Sequence, residues 1–205
     1  MIISHRFKFI FIKTVKTAGT SIEVFLSQHC AEEDVVTPIW PHIESHRPRN
    51  YKTPKNMNDF KNHNSAASIK KRVSTEIWDS YFKFCVERNP WDKTLSHYHM
   101  MNDQSEGIPF SDYMEQGNFC INFPTYTDAN GNLLVDRVIK YEALAEELGS
   151  VFNDLGIPFN GSLGVHAKSE HRKDRRPYQE VFSAKHKTKI ETAFAREIEM
   201  HGYQF

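Results

Sequence analysis

Residues 7–28 read FKFIFIKTVKTAGTSIEVFLSQ, and the pattern of this stretch indicates the fold class. Its first part, residues 7–13, is dominated by aromatic and β-branched side chains and contains neither glycine nor proline, which predicts a β-strand. Residues 14–20 form a turn of small side chains, and from residue 21 apolar residues recur at spacings of three and four, which predicts a helix. A strand, a loop and a helix within about 25 residues form the opening half of a β-α-β unit.

A strand followed by a helix is predicted twice more. Residues 81–86 (YFKFCV) form an apolar run, and Asn89-Pro90 after it combines a capping residue with proline, a preferred start for a helix. Residues 136–140 (DRVIK) predict a third strand, with a helix over about residues 142–155 behind it. Short apolar strands that alternate with helices predict an α/β fold with a central parallel sheet flanked by helices.

Between these units the pattern is weaker. Residues 31–60 and 102–135 show little periodicity, which predicts irregular surface segments, where substrates are often bound. Two further helices are expected, a short one after the first irregular segment and a last one that Ser183 caps and Gly202 ends. No repeat or low-complexity tract divides the chain, so residues 1–205 are expected to form a single domain.

The formal net charge is zero, but the charge is distributed unevenly. Basic and acidic side chains number 12 and 6 over residues 1–75, 5 and 14 over residues 76–163, and 9 and 6 over residues 164–205. Proteins that coat nucleic acid or an anionic membrane usually have a basic excess, so these partners are not expected. If the two basic ends meet in space, a neutral protein can still build a local anion site.

Composition also predicts the compartment. No apolar run approaches the ~18 residues that span a membrane, and basic residues interrupt the first apolar run, unlike the apolar part of a signal peptide. The three cysteines are odd in number and far apart, so we expect reduced thiols in the cytoplasm. Their spacing fits no zinc motif.

The loop after the first strand has the side chains of an anion site. Small residues let backbone N–H groups turn toward one point, and the helix N-terminus adds about half a positive charge. Lys16 adds a full charge, and Thr20 and Ser21 add hydroxyl donors. The GxxxxGK[ST] pattern of nucleotide-triphosphate P-loops is absent. An ordinary tight turn with a capping threonine is the alternative interpretation.

A second loop follows the predicted central strand. Arg88 stands at the end of that strand, where its guanidinium could donate two hydrogen bonds to a phosphate, and Ser96 on the following helix could reach the same group. Because ligands bind beyond the carboxyl ends of parallel strands, the two loops are expected to lie at one edge of the sheet. The alternative is an arginine paired with an acid and a serine on a solvated face.

Together, KTAGTS at residues 16–21 and RNPWDKTLSHY at residues 88–98 resemble the sulfotransferases that use 3′-phosphoadenosine 5′-phosphosulfate (PAPS). The closest resemblance is to small bacterial members of the carbohydrate-type branch, which residues 136–144 and 198–205 also resemble, so nearly the whole chain is covered. The resemblance implies a P-loop-like first loop for the 5′-phosphosulfate and a second loop for the 3′-phosphate. The residues that it implies in cofactor binding are Lys16, Thr17, Ala18, Gly19, Thr20, Ser21, Arg88 and Ser96.

Several positions depart from the family pattern. Relatives usually carry proline before the loop lysine, where this chain has Val15, and a histidine or similar residue near the position of Lys13. They commonly carry arginine after RNPWD, where this chain has Lys93. A late basic loop often has Asn ahead of its serine, and here residues 165–169 read VHAKS. These departures concern the contacts to the nucleotide base more than phosphate binding.

The late loop, residues 166–176, reads HAKSEHRKDRR. The resemblance implies that it closes over the 3′-phosphate end of the nucleotide, and a charged surface loop is the alternative. Its implied contacts are Lys168, Arg172 and Arg175.

Sulfuryl transfer needs in-line geometry and help for the leaving group and the nucleophile. Lys16 fits the leaving-group role, because its charge would lie where the bridging oxygen becomes part of a phosphate. A general base must take the acceptor proton, and His63, directly before a small-residue helix, is the first candidate. A solvent-exposed histidine without a role is the alternative there, and His97, His99 and Glu23 are the other candidate bases.

The resemblance therefore implies a sulfotransferase that moves the sulfuryl group of PAPS to a hydroxyl or amine of a carbohydrate or small-molecule acceptor. No metal, membrane span or nucleic-acid partner is expected, and the sequence indicates no oligomeric state. Two other functions stay open, a nucleotide-binding phosphotransferase and a non-catalytic nucleotide- or RNA-binding module. The missing P-loop pattern argues against the first, and the lack of an aromatic and basic RNA-reading motif argues against the second.

Overall fold

The computed structural model describes residues 1–53, 59–103, 107–164 and 176–205. Within these ranges five strands form one mixed β-sheet in the order β3-β1-β2-β4-β5, and helices pack on both faces of it, as expected for an α/β fold. The strands are β1 (Ile2–Ser4), β2 (Phe9–Phe11), β3 (Val35–Val36), β4 (Phe82–Glu87) and β5 (Arg137–Lys140).

The prediction of a wholly parallel sheet is wrong. β2, β4 and β5 run parallel to one another, whereas β1 is antiparallel to both β2 and β3. The strand predicted over residues 7–13 is the second arm of a hairpin, whose turn includes Lys8 at φ 53°. Antiparallel neighbours need only such a turn, whereas parallel neighbours need a long crossover, so the short link between β1 and β2 determines their antiparallel pairing.

Ten α-helices lie within the described ranges, and serine residues cap three of them. The side chains of Ser65, Ser74 and Ser183 each accept a hydrogen bond from a backbone N–H of the first turn, which satisfies an otherwise unpaired donor. The helices are α1 (Gly19–His29), α2 (Ala66–Lys70), α3 (Thr75–Ser80), α4 (Pro90–Asp103), α5 (Phe110–Gln116), α6 (Phe123–Tyr126), α7 (Leu144–Asp154), α8 (Tyr178–Val181), α9 (Ala184–Ala193) and α10 (Ala195–His201). None of the described helices is long and apolar enough to cross a membrane.

Helices α1, α4 and α7 confirm the predicted helices behind the three predicted strands. The last predicted helix is interrupted at Phe194 (φ −111°, ψ 24°), whose ring is fully buried, so α9 and α10 stand where one helix was expected. The stretches predicted to be irregular also contain β3, α5 and α6. These elements are only two to seven residues long, too short for a periodic pattern to show.

β2 supplies side chains to both faces of the sheet. Ile10 joins a cluster with Ile69 of α2 and Trp78 of α3, whereas Phe9 and Phe11 join a cluster with residues of α1 and α7. Full burial of one such side chain contributes about 1.5–3 kcal/mol. The loop that follows β2 therefore starts from a strand that is held firmly on both sides.

Candidate functional site

The first loop, residues 12–18, joins the carboxyl end of β2 to α1. Because β2 lies parallel to β4, the loop that follows β4 lies at the same edge of the sheet, which confirms the predicted placement of the two loops. Hydrogen bonds join them directly. The hydroxyl of Thr14 donates to the carbonyl oxygen of Val86, and Nη1 of Arg88 donates to the carbonyl oxygen of Lys16 at 3.2 Å.

Two residues of the first loop have a left-handed backbone conformation, Lys16 at φ 64° and Ala18 at φ 60°. This region costs a non-glycine residue on the order of 1–3 kcal/mol and occurs often at functional sites. Ala18 is the N-cap of α1 and provides no capping hydrogen bond, and the first turn contains no acidic residue. The N-terminus of α1 thus has no acidic residue in its first turn and no capping bond from Ala18, an arrangement compatible with an anion at the helix start.

Gly19 opens α1 because the side chain of Lys13 passes beneath it. A Cβ atom at this position would lie 2.7 Å from Cγ of Lys13 and 3.3 Å from the carbonyl oxygen of Thr14. Lys13 is buried, and its ammonium donates to Oε2 of Glu23 at 2.7 Å. The missing side chain at Gly19 therefore lets a buried ion pair lie under the first turn of the helix.

Glu23 lies at the centre of a buried polar cluster. Its Oε1 accepts hydrogen bonds from the Met1 ammonium at 2.7 Å and from the Thr37 hydroxyl at 2.8 Å, while Lys13 occupies Oε2. Burial raises the pKa of Glu23, but the positive charges of Met1 and Lys13 outweigh it and hold the pKa below its usual value. A paired carboxylate with a lowered pKa is a weak proton acceptor, which argues against Glu23 as the general base.

Arg88 forms an ion pair with Asp92, one helical turn further along. Nε and Nη2 lie 2.8 Å and 2.6 Å from Oδ2 of Asp92, and the guanidinium lies 4.1 Å above the ring of Tyr141. A guanidinium has five N–H donors. The two contacts to Asp92 and the one to Lys16 use three of them, so among the described residues two donors of Arg88 remain for an anion.

Beneath this pair, Glu87 and Lys93 form a second ion pair, with Nζ 2.7 Å from Oε1 and both side chains fully buried. Lys93 is the position where the resembling sulfotransferases commonly carry arginine, and here it is an interior counter-charge. Oε1 of Glu87 also accepts the backbone N–H of Arg88 at 2.9 Å, and Oε2 accepts the Tyr126 hydroxyl at 3.2 Å. This cluster fixes the end of β4 relative to the start of α4.

Asn89 confirms the predicted capping residue of α4. Its Oδ1 accepts the backbone N–H of Trp91 at 3.1 Å, and its own N–H donates to Glu142 at 2.7 Å. Its Nδ2 donates to the carbonyl oxygen of Gln204 at 2.9 Å and to the Tyr178 hydroxyl at 3.2 Å. The backbone N–H and the side chain of Asn89 together tie the loop after β4 to Glu142, Tyr178 and Gln204.

The first candidate base, His63, lies at the surface with Nδ1 2.9 Å from the carbonyl oxygen of Lys13. Because a carbonyl oxygen only accepts, this hydrogen bond assigns the proton of the neutral ring to Nδ1 and leaves Nε2 with its lone pair. Partial burial of the ring lowers the pKa of His63, although the hydrogen bond to Lys13 opposes this. Near pH 7 the imidazole is therefore neutral with Nε2 as a proton acceptor.

His97 lies half-buried on α4 with Nδ1 2.8 Å from the Tyr113 hydroxyl. Burial lowers the pKa of His97, and the positive charge of Lys16 lowers it further. Both effects keep the imidazole neutral near pH 7, so His97 stays an alternative base.

The remaining candidates lie on the elements where they were predicted, or outside the described residues. Thr20 and Ser21 lie in the first turn of α1, and Ser96 and His99 lie half-buried on α4. The predicted contacts in the late loop lie outside the described residues, and these are Lys168, Arg172 and Arg175.

Asn122 is a residue of this site that the sequence did not indicate. Its Oδ1 accepts the backbone N–H of Val15 at 2.9 Å, and its Nδ2 donates to the carbonyl oxygen of Val15 at 3.0 Å and to Oε1 of Glu87 at 3.3 Å. Asn122 lies 107 residues from Val15, in a stretch without periodicity or motif. No local pattern could have identified it.

The three cysteines lack the lowered thiol pKa of reactive cysteines. Cys30, Cys85 and Cys120 are free thiols, and burial raises the pKa of each, to about 12 for Cys30 and about 11 for Cys120. Thiols in such surroundings are poor nucleophiles. In the part of the chain that the structure describes, no group of three or more His, Cys, Asp or Glu side chains could hold a metal ion.

The protein is thus an α/β protein. Its β2–loop–α1 unit is joined by hydrogen bonds to β4 and the loop that follows β4. No protein-family model matches the chain. An uncharacterized protein of Archaeoglobus fulgidus is 34% identical over 96 residues, which cover 44% of this chain and 80% of the archaeal protein. The chain therefore belongs to the same family as that archaeal protein.

Proposed function

We propose that the protein is a PAPS-dependent sulfotransferase, which transfers a sulfuryl group to a hydroxyl or amine of a carbohydrate or small-molecule acceptor. The observation that carries the proposal is the hydrogen bond from Arg88 to the carbonyl oxygen of Lys16. It joins two motifs whose residues lie 72 positions apart and which together resemble this family. PAPS carries phosphate at the 3′ and 5′ positions of one ribose, so its binding requires two anion sites side by side.

The first loop supports binding of the 5′-phosphosulfate. Backbone N–H groups at the start of α1, from Thr17 to Ser21, provide donors and a partial positive charge, and Lys16 adds an ammonium. Beneath the loop the Glu23 carboxylate is paired with Lys13 and with the Met1 amino group. Lys16 and the helix N-terminus are the positive groups of the loop itself that an anion would meet.

The loop after β4 supports binding of the 3′-phosphate. Tyr141 and Asp92 hold the guanidinium plane of Arg88, and two of its N–H groups remain for an anion among the described residues. Ser96 is one turn beyond Asp92 on the same helix. A phosphate beside Arg88 would compete with Asp92, so we expect nucleotide binding to loosen the Arg88–Asp92 pair.

In the proposed reaction the bond between sulfur and the bridging oxygen of PAPS breaks, and a bond forms from sulfur to the acceptor oxygen or nitrogen. The bridging oxygen leaves on the 5′-phosphate of adenosine 3′,5′-bisphosphate, and Lys16 neutralises the charge that it gains. The acceptor proton passes to a general base. Nε2 of His63 fits this role because Nδ1 is hydrogen-bonded to Lys13.

The nucleotide test is a thermal shift with adenosine 3′,5′-bisphosphate and, separately, with ATP. Ligand at about 100 times its dissociation constant stabilises the folded state by about 3 kcal/mol, so a clear rise in melting temperature is expected with the bisphosphate. Arg88→Ala should abolish this shift. Arg137→Ala, which removes a partly exposed arginine paired with Glu147, is the matched control and should keep it.

Stabilisation by ATP alone would favour a phosphotransferase and overturn the proposal. Transfer of labelled sulfate from PAPS is then screened over carbohydrate, small-hydroxyl and amine acceptors. If the protein binds the bisphosphate but transfers sulfate to none of them, the non-catalytic binding module is favoured. Transfer to one acceptor class would establish the reaction and identify the substrate class together.

A further inference from the structure

Asn122 interacts with the first loop as a neighbouring strand would. It accepts the N–H of Val15 and donates to the carbonyl oxygen of the same residue, at 2.9 Å and 3.0 Å, and it is fully buried. Both backbone groups of the residue that precedes Lys16 are therefore fixed by one side chain. Lys16 itself has the left-handed conformation, so its orientation depends on what holds the peptide before it.

The same amide also reaches the polar cluster beneath the loop after β4. Nδ2 lies 3.3 Å from Oε1 of Glu87, and this oxygen also accepts from the Lys93 ammonium at 2.7 Å and from the backbone N–H of Arg88 at 2.9 Å. Glu87 thus links Asn122 to Arg88. In a buried network such as this each hydrogen bond is strong, and removal of one partner leaves the others unsatisfied.

We propose that Asn122 is a positioning residue of the nucleotide site, which sets the backbone of the first loop relative to Arg88. Lys16 and Arg88 then face the two phosphate-bearing ends of one nucleotide at a fixed spacing. This inference rests on the proposed function, because that function supplies the nucleotide. Asn122 acts through the protein backbone, so its loss lowers affinity by removing preorganisation and leaves the ligand-contacting side chains in place.

Asn122→Ala tests the inference, with Thr127→Val as the matched control. Thr127 is also buried, and its hydroxyl donates to the carbonyl oxygen of Phe123 at 2.7 Å rather than to the first loop or to Glu87. We expect Asn122→Ala to weaken binding of adenosine 3′,5′-bisphosphate about tenfold or more, since buried partners are left unsatisfied. Thr127→Val should lose thermal stability but bind the nucleotide as the wild type does.

Equal affinity losses in the two variants would assign Asn122 to general stability and overturn the inference, and so would unchanged affinity in Asn122→Ala. If Asn122→Ala does not fold, hydrogen exchange of the Val15 amide in the wild type tests the inference instead. The Val15 amide should be protected, and more so with the bisphosphate bound, whereas rapid exchange in both states would overturn the inference. A wild type that does not bind the bisphosphate overturns the proposed function itself, which distinguishes the two failures.

Discussion

His63 and His97, two of the candidate bases, differ in the hydrogen bond that each Nδ1 forms. Nδ1 of His63 faces a carbonyl oxygen, which only accepts, so Nε2 keeps its lone pair. Nδ1 of His97 faces the Tyr113 hydroxyl, which can donate or accept, so both tautomers are compatible with the contact. The tautomer favours His63, the charge of Lys16 makes His97 a weaker proton acceptor by lowering its pKa, and a kinetic comparison separates them.

We expect His63→Ala to keep nucleotide binding and to lower turnover by roughly 10²–10⁴, the usual contribution of a general base. Because partial burial lowers the pKa of His63, the wild-type rate should fall as pH drops through that lowered pKa, and the variant should lack this dependence. The measurement is sulfate transfer from labelled PAPS, to the acceptor class that the screen identifies, as a function of pH. His97→Ala is the matched variant, and a large loss there with wild-type turnover in His63→Ala would assign the base to His97.

At this scale the motif residues could be predicted and their partners could not. Lys16, Gly19 and Arg88 stand in contiguous patterns whose chemistry is readable from residue type and spacing. Asn122 and the Glu87–Lys93 pair belong to the site through contacts that only the folded chain creates. Two departures from the resembling family become interpretable for the same reason. Lys93, in place of arginine, is a buried counter-charge to Glu87, and Val15, in place of proline, has a backbone N–H that donates to Asn122.

At the scale of elements, local periodicity predicted the strand–loop–helix units, and tertiary pairing determined the rest. The hairpin of β1 and β2 was missed because its turn, residues 5–8 (HRFK), contains none of the Gly, Pro, Asn or Asp residues that usually mark a turn. The antiparallel edge formed by β1 and β3 follows from that turn. The edge that holds the candidate site lies on the parallel part of the sheet, β2 and β4, so the prediction of its position is unaffected.

Close packing at the start of α1 makes Gly19 sensitive to substitution. Gly19→Ala should destabilise the protein by about 1–3 kcal/mol, the usual cost of overpacking, because the new Cβ would lie 2.7 Å from Cγ of Lys13. Lys13 cannot move aside freely, since its ammonium is paired with Glu23. The helix start should shift, and the thermal shift with adenosine 3′,5′-bisphosphate should be lost with it.

Gly149→Ala in α7 is the control, since its Cβ would find the nearest atom of Phe159 at 3.8 Å. That change should be neutral or stabilising by up to about 1 kcal/mol, because alanine favours a helix interior over glycine. Urea unfolding and the nucleotide thermal shift measure both variants. Wild-type stability and binding in Gly19→Ala would show that the close packing of Lys13 against this glycine does not constrain the loop.

At the scale of the whole molecule, burial of titratable groups makes stability depend on pH. Burial lowers the pKa of six histidines below the usual 6.5, and these are His29, His46, His63, His97, His186 and His201. Between the lowered pKa and 6.5 the unfolded chain binds more protons than the folded one, so stability rises with pH. Glu197 opposes this, because burial raises its pKa above 4.5 and stability is lost as pH rises through that raised value.

Since six histidines and the Met1 amino group, whose pKa burial lowers to about 5, oppose one glutamate, we expect the free energy of unfolding to rise from about pH 5 to about pH 7. Substitution of His46 tests the contribution of a single histidine to this pH dependence. His46 is 1% exposed, neither ring nitrogen has a hydrogen-bond partner among the described residues, and Nε2 lies 3.9 Å from Glu23. Urea midpoints at the two pH values should differ less in His46→Gln than in the wild type, whereas the same change at the exposed His42 should leave the difference intact. A wild-type midpoint that is level or falls over this range would show that Glu197 outweighs the histidines.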